Sequence, residues 1–273
     1  MFRSRTLIAC LSMLLVFGCG SDVYESRLAE TNAFFQYRQS LDRVLQNGHW
    51  NSPTSVSMRI PKGFNLLPAP RPVKEGETAP EDSRQPFYLG VQLPGLIGAW
   101  QGEFPCDNGT RSAFLYVCSN HQAYLDLVKA PEGPNPELFL SDLESALSGA
   151  LQVQLPPGEV SGIGNNIRYA QTCPADGKYA LQRKFTGVAF VPPGVLPNTG
   201  GVEIKAQLYE HYNGKIQVAV LAIYPAAIRE PLGEKPLGEK LLTALETFSV
   251  SSEVPKVKAG GPTGAGGAGK SGF

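Results

Sequence analysis

The sequence predicts an α+β protein: an antiparallel sheet flanked by helices, preceded by an amphipathic helix and followed by a Gly-rich tail. Three observations predict this. Strand-like runs follow one another and are broken only by isolated helical stretches. Asp107-Asn108-Gly109 and Asn213-Gly214 are hairpin turns, which pair neighbouring strands antiparallel. Two stretches place apolar residues at helical rather than alternating spacing.

The elements follow in order. Asp22 to Gln46 reads as helix: Tyr24, Leu28, Thr31, Phe35, Arg38, Leu41 and Leu45 form one stripe, Phe34 and Val44 widen it, and Gly48 ends it. A helix this long needs a cover for its apolar face, either the body of the protein or a partner. Ser55 to Ile60 alternates as a strand, and Pro61 stops it. Residues 66–86, rich in Pro, Glu and Arg, read as a long exposed loop. Strands are expected at 87–93, 96–104 and 112–118, with Trp100 and Phe104 in the core.

Asn135-Pro136-Glu137 is a helix start, with Asn135 as cap, and Leu138, Phe139, Leu143, Leu147 and Leu151 mark an apolar face. Strands at 179–191, 202–212 and 215–224 come next. The last is apolar almost throughout and belongs in the middle of the sheet. Pro231-Leu232-Gly233-Glu234-Lys235 is copied as Pro236-Leu237-Gly238-Glu239-Lys240, an expanded loop leading into a helix over 239–247. From Ser251 onward the composition cannot bury a core, so disorder is expected.

The amino end carries the sharpest signal. Arg3 and Arg5 precede the apolar run Leu7 to Phe17, which is shorter than the roughly 20 residues needed to cross a bilayer. Val16-Phe17-Gly18 then precedes Cys19, and Gly20-Ser21-Asp22 follows. This arrangement resembles a bacterial lipoprotein signal peptide with its lipobox, although Phe17 is bulkier than the residue usual there. The resemblance implies cleavage before Cys19 and acylation of its sulfur, palmitate included. It implies anchoring on the extracytoplasmic side of the cell envelope, and Gly20 after the lipidated cysteine implies the outer membrane. Plain secretion with an incidental cysteine is the alternative. More than one acyl chain is required for stable anchoring. The expected organisation is a signal peptide at 1–18, a lipid-anchored helix at 19–50, an α+β domain at 51–250 and a disordered tail at 251–273.

Val56-Ser57-Met58-Arg59-Ile60-Pro61-Lys62-Gly63-Phe64 and the closing Leu241-Leu242-Thr243-Ala244-Leu245-Glu246-Thr247-Phe248 are similar, in order and pattern, to the Mog1/PsbP/DcrB-type sandwich. The chain also resembles uncharacterised exported lipoproteins of planctomycete-type bacteria. Members of the sandwich group are mostly binding or assembly factors, which is the role the resemblance implies.

The chain has 24 basic and 24 acidic side chains; without residues 1–18, which hold Arg3 and Arg5, its charge is −2. That lacks the electrostatic footprint of a nucleic-acid binder. Cys106, Cys118 and Cys173 would face an oxidising compartment, where one disulfide and one free thiol are expected. The hairpin turn puts Cys106 beside the turn and Cys118 at the far end, so Cys173 with Cys106 or Cys118 is the expected pair. His49, His121 and His211 lack ligand spacing with these cysteines, so no metal site is expected.

Gly264 to Ser271 matches the P-loop pattern, but no strand precedes it and no helix can follow, so no nucleotide is expected. Gly162-Ile163-Gly164 lacks the rest of a dinucleotide fingerprint and reads as loop. Asn108-Gly109-Thr110 is a glycosylation sequon that reads better as turn chemistry. Ser119, His121 and Asp126 could be drawn as a triad, but without a nucleophile elbow His121 reads as a surface residue. Cys173, before Pro174 in a polar stretch, has nothing nearby to lower its pKa. Tyr88, Trp100, Tyr116, Tyr209, Tyr212 and Tyr224 are expected on strands, in the core or along a groove. No catalytic set or cofactor is expected. The reading is an envelope lipoprotein, non-enzymatic, bound to the membrane by its anchor and binding an envelope protein partner. The alternatives are an extracytoplasmic hydrolase whose site assembles only in three dimensions, and a carrier of a small apolar ligand. An exposed apolar patch on the long helix would favour the first; a cleft of convergent polar groups with a shifted pKa would favour the second.

Overall fold

The structure, a computed structural model, describes residues 21–71, 80–129, 132–155, 161–163, 166–230 and 232–254. The expected leader, Cys19, the P-loop match at 264–271 and most of the expected tail lie outside these. The helices are α1 (Ser21–Val44), α2 (His121–Lys129), α3 (Phe139–Leu151) and α4 (Leu237–Leu245). The strands are β1 (Leu45–Asn51), β2 (Val56–Pro61), β3 (Phe64–Leu66), β4 (Leu96–Cys106), β5 (Gly109–Ser119), β6 (Ser161–Ile163), β7 (Asn166–Cys173), β8 (Arg183–Phe190), β9 (Ile204–Asn213), β10 (Ile216–Pro225) and β11 (Ser249–Val250).

Eight strands form one sheet in the order β3-β4-β5-β10-β9-β8-β7-β6, and β1-β2-β11 form a second. All pairings are antiparallel, so the protein is α+β. β10 is apolar because both of its faces are covered. Val218 and Val220 join a core with Leu115, Tyr209, β2, α4 and the end of α1. Ala219 and Leu221 join a second core with Tyr116, Leu208 and the α3 residues Leu140, Leu143, Leu147 and Leu151. Trp100 and Phe104 are buried in the first core, as expected. The small sheet with α4 thus covers one face of the large sheet, and α3 covers the other.

Two buried amides tie these layers together. Asn120 donates to the carbonyls of Pro136 and Lys215, both at 3.0 Å, and accepts from the Gln217 amide at 2.9 Å. Gln217 accepts from the Leu140 amide at 3.1 Å, which satisfies an orphan donor at the start of α3.

Several elements differ from expectation. α1 stops at Val44, and Leu45–Asn51 is a strand, because Leu45 is buried against β2. Residues 87–93 are not a strand: Phe87–Leu89 is a 3-10 turn ended by Gly90 at φ 67°, and the Gln85 side chain bonds both backbone groups of Leu93. The β9–β10 turn is Gly214-Lys215 rather than Asn213-Gly214, since Asn213 pairs with Ile216 and its side chain donates to Val250. α2, β7 and the edge strands β3, β6 and β11 are additional, and the strand expected at 179–191 starts only at Arg183. Gly162 and Ile163 belong to β6, not a loop. Leu66 ends β3 and Leu67 packs on the second core, so the expected 66–86 loop starts as structure. Asn135 accepts from the Glu137 amide at 3.0 Å, as expected of a cap, but what it starts is a 3-10 turn, Pro136–Leu138, ahead of α3, and that turn leaves Leu138 exposed.

Candidate functional site

α1 is half clamped and half bare. Its carboxy-terminal half is held by apolar contacts from Leu41 and Val44, by a Tyr37 hydroxyl donating to Glu246 at 3.2 Å, and by Phe34 and Tyr37 against Tyr179. Asp42 pairs with the buried Arg59 at 2.8 Å. The amino-terminal half meets none of these partners. Tyr24, Leu28 and Phe35 are 67%, 55% and 63% exposed. The expected single stripe is therefore two faces. At about 100° per residue, Tyr24, Leu28 and Phe35 share an arc of about 40°, and Tyr37, Leu41 and Val44 centre about 150° away. Tyr37, Leu41 and Val44 meet the body; Tyr24, Leu28 and Phe35 lie on the other face, which the body reaches at Asp42, about 10 Å beyond Phe35, through Arg59.

Strand register fixes what lies at each end of the large sheet. The β7–β8 loop carrying Tyr179 is at the end where β9 turns into β10. The β4–β5 hairpin is at the opposite end. That opposite end holds two clefts. One, of about 320 Å³, is lined by Tyr88, Phe114, Val202, Ile204 and Pro225, with Arg111, Ser112, Asn198 and Thr199 as polar groups. The other, of about 280 Å³, shares Arg111 and also touches Cys106, Asp107 and Glu203. Tyr88 stacks on Phe114 at 5.2 Å, which makes an aromatic wall.

The most perturbed carboxyl lies elsewhere. Glu210 of β9 and Arg168 of β7 flank β8 beneath Glu144 of α3. Arg168 donates to one oxygen of Glu144 at 2.6 Å, has the other at ion-pair distance, 2.5 Å, and sits 3.7 Å from Glu210. Glu210 is 3% exposed, and its second oxygen and the Arg168 Nε lack hydrogen-bond partners. Burial first, and the Glu144 charge second, push Glu210 above the ordinary carboxylate range against the pull of Arg168. One guanidinium serves two carboxyls, and Glu144 has the closer contact. The neutral form of Glu210 is thereby favoured. None of these three residues lines either cleft, so shifted carboxyl and open cavity do not coincide.

The sequence candidates are dispersed. Ser119 accepts the His121 backbone amide at 3.2 Å, and Asp126 accepts from Gln122 at 2.9 Å. His121 Nδ1 is buried without a partner, and burial lowers its pKa. That arrangement starts a helix and relays no proton. The expected disulfide is not formed: Cys106, Cys118 and Cys173 are free. Cys118 and Cys173 lie in cores on opposite faces of the large sheet. Cys106 is at the hairpin end, and Cys173 ends β7 beside the Tyr179 loop. Burial pushes the Cys118 and Cys173 thiols up to about 12 and about 11, which suppresses nucleophilic thiolate. Cys173 is buried rather than in a polar loop. Tyr116 and Tyr209 are core residues, Tyr224 is half-buried, Tyr212 is exposed, and Tyr88 lies on the 3-10 turn. Sequence reasoning missed Arg168, Glu144 and Glu210 as a group, because their separation in sequence gives no pattern.

Among the described residues, no cluster of three or more His, Cys, Asp or Glu could hold a metal ion. Among them also, no helix is long and apolar enough to cross a membrane. No protein-family model matches the chain, and no curated protein matches it. A crystal structure from Bacteroides thetaiotaomicron VPI-5482 is similar at a TM-score of 0.29 and 11% identity, over 78% of this chain and 52% of that one. This chain thus spans about half that protein's length, and a TM-score so low supports no inference about fold or role.

Proposed function

We propose that this protein is an envelope lipoprotein, anchored through Cys19 on the extracytoplasmic side of the outer membrane, and that it serves as a non-enzymatic binding or assembly module. The observation that carries this reading is the bare face of α1, a helix that begins at Ser21, two positions after Cys19. Apolar surface left exposed beside an anchor marks a docking face, for a membrane as well as for a protein. The second support is negative in kind: the shifted carboxyl of Glu210 is packed under α3 and lines neither cleft, so the hydrolase alternative gains no site from it. The likeness to the Mog1/PsbP/DcrB-type sandwich points the same way.

On this reading the module has two ends. α1 leads from the anchor to the Tyr179 end of the large sheet. The aromatic clefts around Arg111 occupy the other end, where a partner in the envelope could be met. The test is metabolic labelling with a palmitate analogue and fractionation of cells making the wild type or Cys19→Ala. The wild type is expected to be labelled and membrane-bound, and the variant unlabelled and soluble. Equal membrane retention of both would overturn the anchor.

A further inference from the structure

We propose that the outward face of α1 is a bilayer contact: Tyr24, Leu28 and Phe35 lie in the headgroup–acyl boundary, so that the helix runs along the membrane beneath the body. This deepens the anchored reading and rests on it.

Four features point to lipid as the occupant. The first is reach. Gly20 alone separates Cys19 from α1, and an extended chain covers at most about 3.6 Å per residue. An acylated sulfur would hold the first turn of α1 within roughly 10 Å of the surface. At 1.5 Å per residue, Phe35 is only about 17 Å beyond Tyr24 along the helix.

The second is direction. The bare face points about 150° away from Tyr37, Leu41 and Val44, and the body reaches its side of the helix at Asp42, about 10 Å beyond Phe35, so the stretch from Tyr24 to Phe35 is the part a membrane meets. The third is area. At 55–67% exposure, the three side chains offer roughly 400 Å², taking about 200 Å² for a whole aromatic side chain. A stable protein interface takes about 800 Å² from each partner. The patch is too small for a second copy of the chain, and too small to hold an untethered protein on a bilayer. A tether removes that limit by raising local concentration.

The fourth is chemistry. Two of the three residues are aromatic, the type that settles at membrane interfaces. Arg27 and Arg38 border one edge of the face, within side-chain reach of lipid phosphates, and Glu25 borders the other. Asp22 and Glu30 fall on the far side of the helix.

The mature chain from Cys19 onward, carrying Cys106→Ser, can be coupled through Cys19 to a maleimide lipid in phosphatidylethanolamine–phosphatidylglycerol vesicles. Leu28→Trp reports the bare face, and the exposed Ser26 position, as Ser26→Trp, reports the opposite one. The parent protein supplies the common signal of Trp50 and Trp100. Brominated acyl chains are expected to quench the Leu28→Trp signal several-fold more than the Ser26→Trp signal, with a blue shift in the former alone. Uncoupled protein should show neither effect. Equal quenching at both positions, or none at either, would overturn the proposal, as would cross-linking of α1 between copies. Because the maleimide supplies the tether, these outcomes do not depend on natural acylation, which the Cys19→Ala fractionation reads separately.

Discussion

Replacing Glu210 by Gln keeps the shape of the neutral carboxyl and removes its titration. Burial and the Glu144 charge raise the Glu210 pKa from an ordinary 4.5 to about 8 in the folded chain. Between these two values the folded state holds a proton that the unfolded chain has released, so stability falls as pH rises through the window. Below 4.5 the contribution is fully present, and above about 8 it is gone. The slope is about 1.4 kcal/mol per pH unit, so moving from pH 5.5 to 7.5 costs roughly 3 kcal/mol. For a body of about 200 residues that is roughly 6–12 °C in Tm. The Gln variant lacks this slope; groups away from the cluster, such as His121, are common to both proteins and cancel, whereas Glu144 interacts with Glu210 and does not, so the difference reads the pair rather than Glu210 alone. Differential scanning calorimetry at pH 5.5 and 7.5 should show the variant gaining on the wild type by that amount at the higher pH. Parallel pH dependence in the two proteins, or a variant that loses ground at pH 7.5, would refute a proton held by the Glu210–Glu144 pair.

The tandem copy offers a matched pair: Leu232 is 106% exposed and Leu237 is 3% exposed. Urea denaturation should show Leu237→Ala losing about 2–5 kcal/mol and Leu232→Ala losing almost nothing. Gly187 lies under the Tyr169 ring, and a Cβ there would collide with it. Gly187→Ala should therefore cost about 1–3 kcal/mol, and pairing it with Tyr169→Ala should recover part of that loss. A thiol titration of denatured, unreduced protein should find Cys106, Cys118 and Cys173 all free, and a single free thiol would contradict the structure.

Much of the fold was legible in local pattern. β10 announced its central place through its composition, and Asn135-Pro136 marked the 3-10 turn that leads into α3, because a cap and a fixed φ act within a few residues. The legible features are those whose cause is local. The β1 strand hid inside an apparent helix because Leu45 answers to β2, a tertiary partner, rather than to its own propensity. The same physics split the α1 stripe: helical spacing shows that residues share a face, and only the placement of α4 and the Tyr179 loop shows which face is covered. The two PLGEK copies are identical in sequence, yet among the described residues it is the second that hydrogen-bonds Glu230. That residue caps α4 through the Leu237 amide at 2.6 Å and pairs with Lys240 at 3.4 Å. The Asn120–Gln217 amides and the Arg168 cluster were invisible because their members come from strands and helices far apart in the chain.

Intact mass and amino-terminal peptide analysis of the protein taken from its own envelope test the account at its root. The account predicts a chain that starts at Cys19, with the sulfur and the new amino end carrying acyl groups. A chain that still bears Met1 through Gly18, or one that starts at an unmodified Cys19, would contradict it.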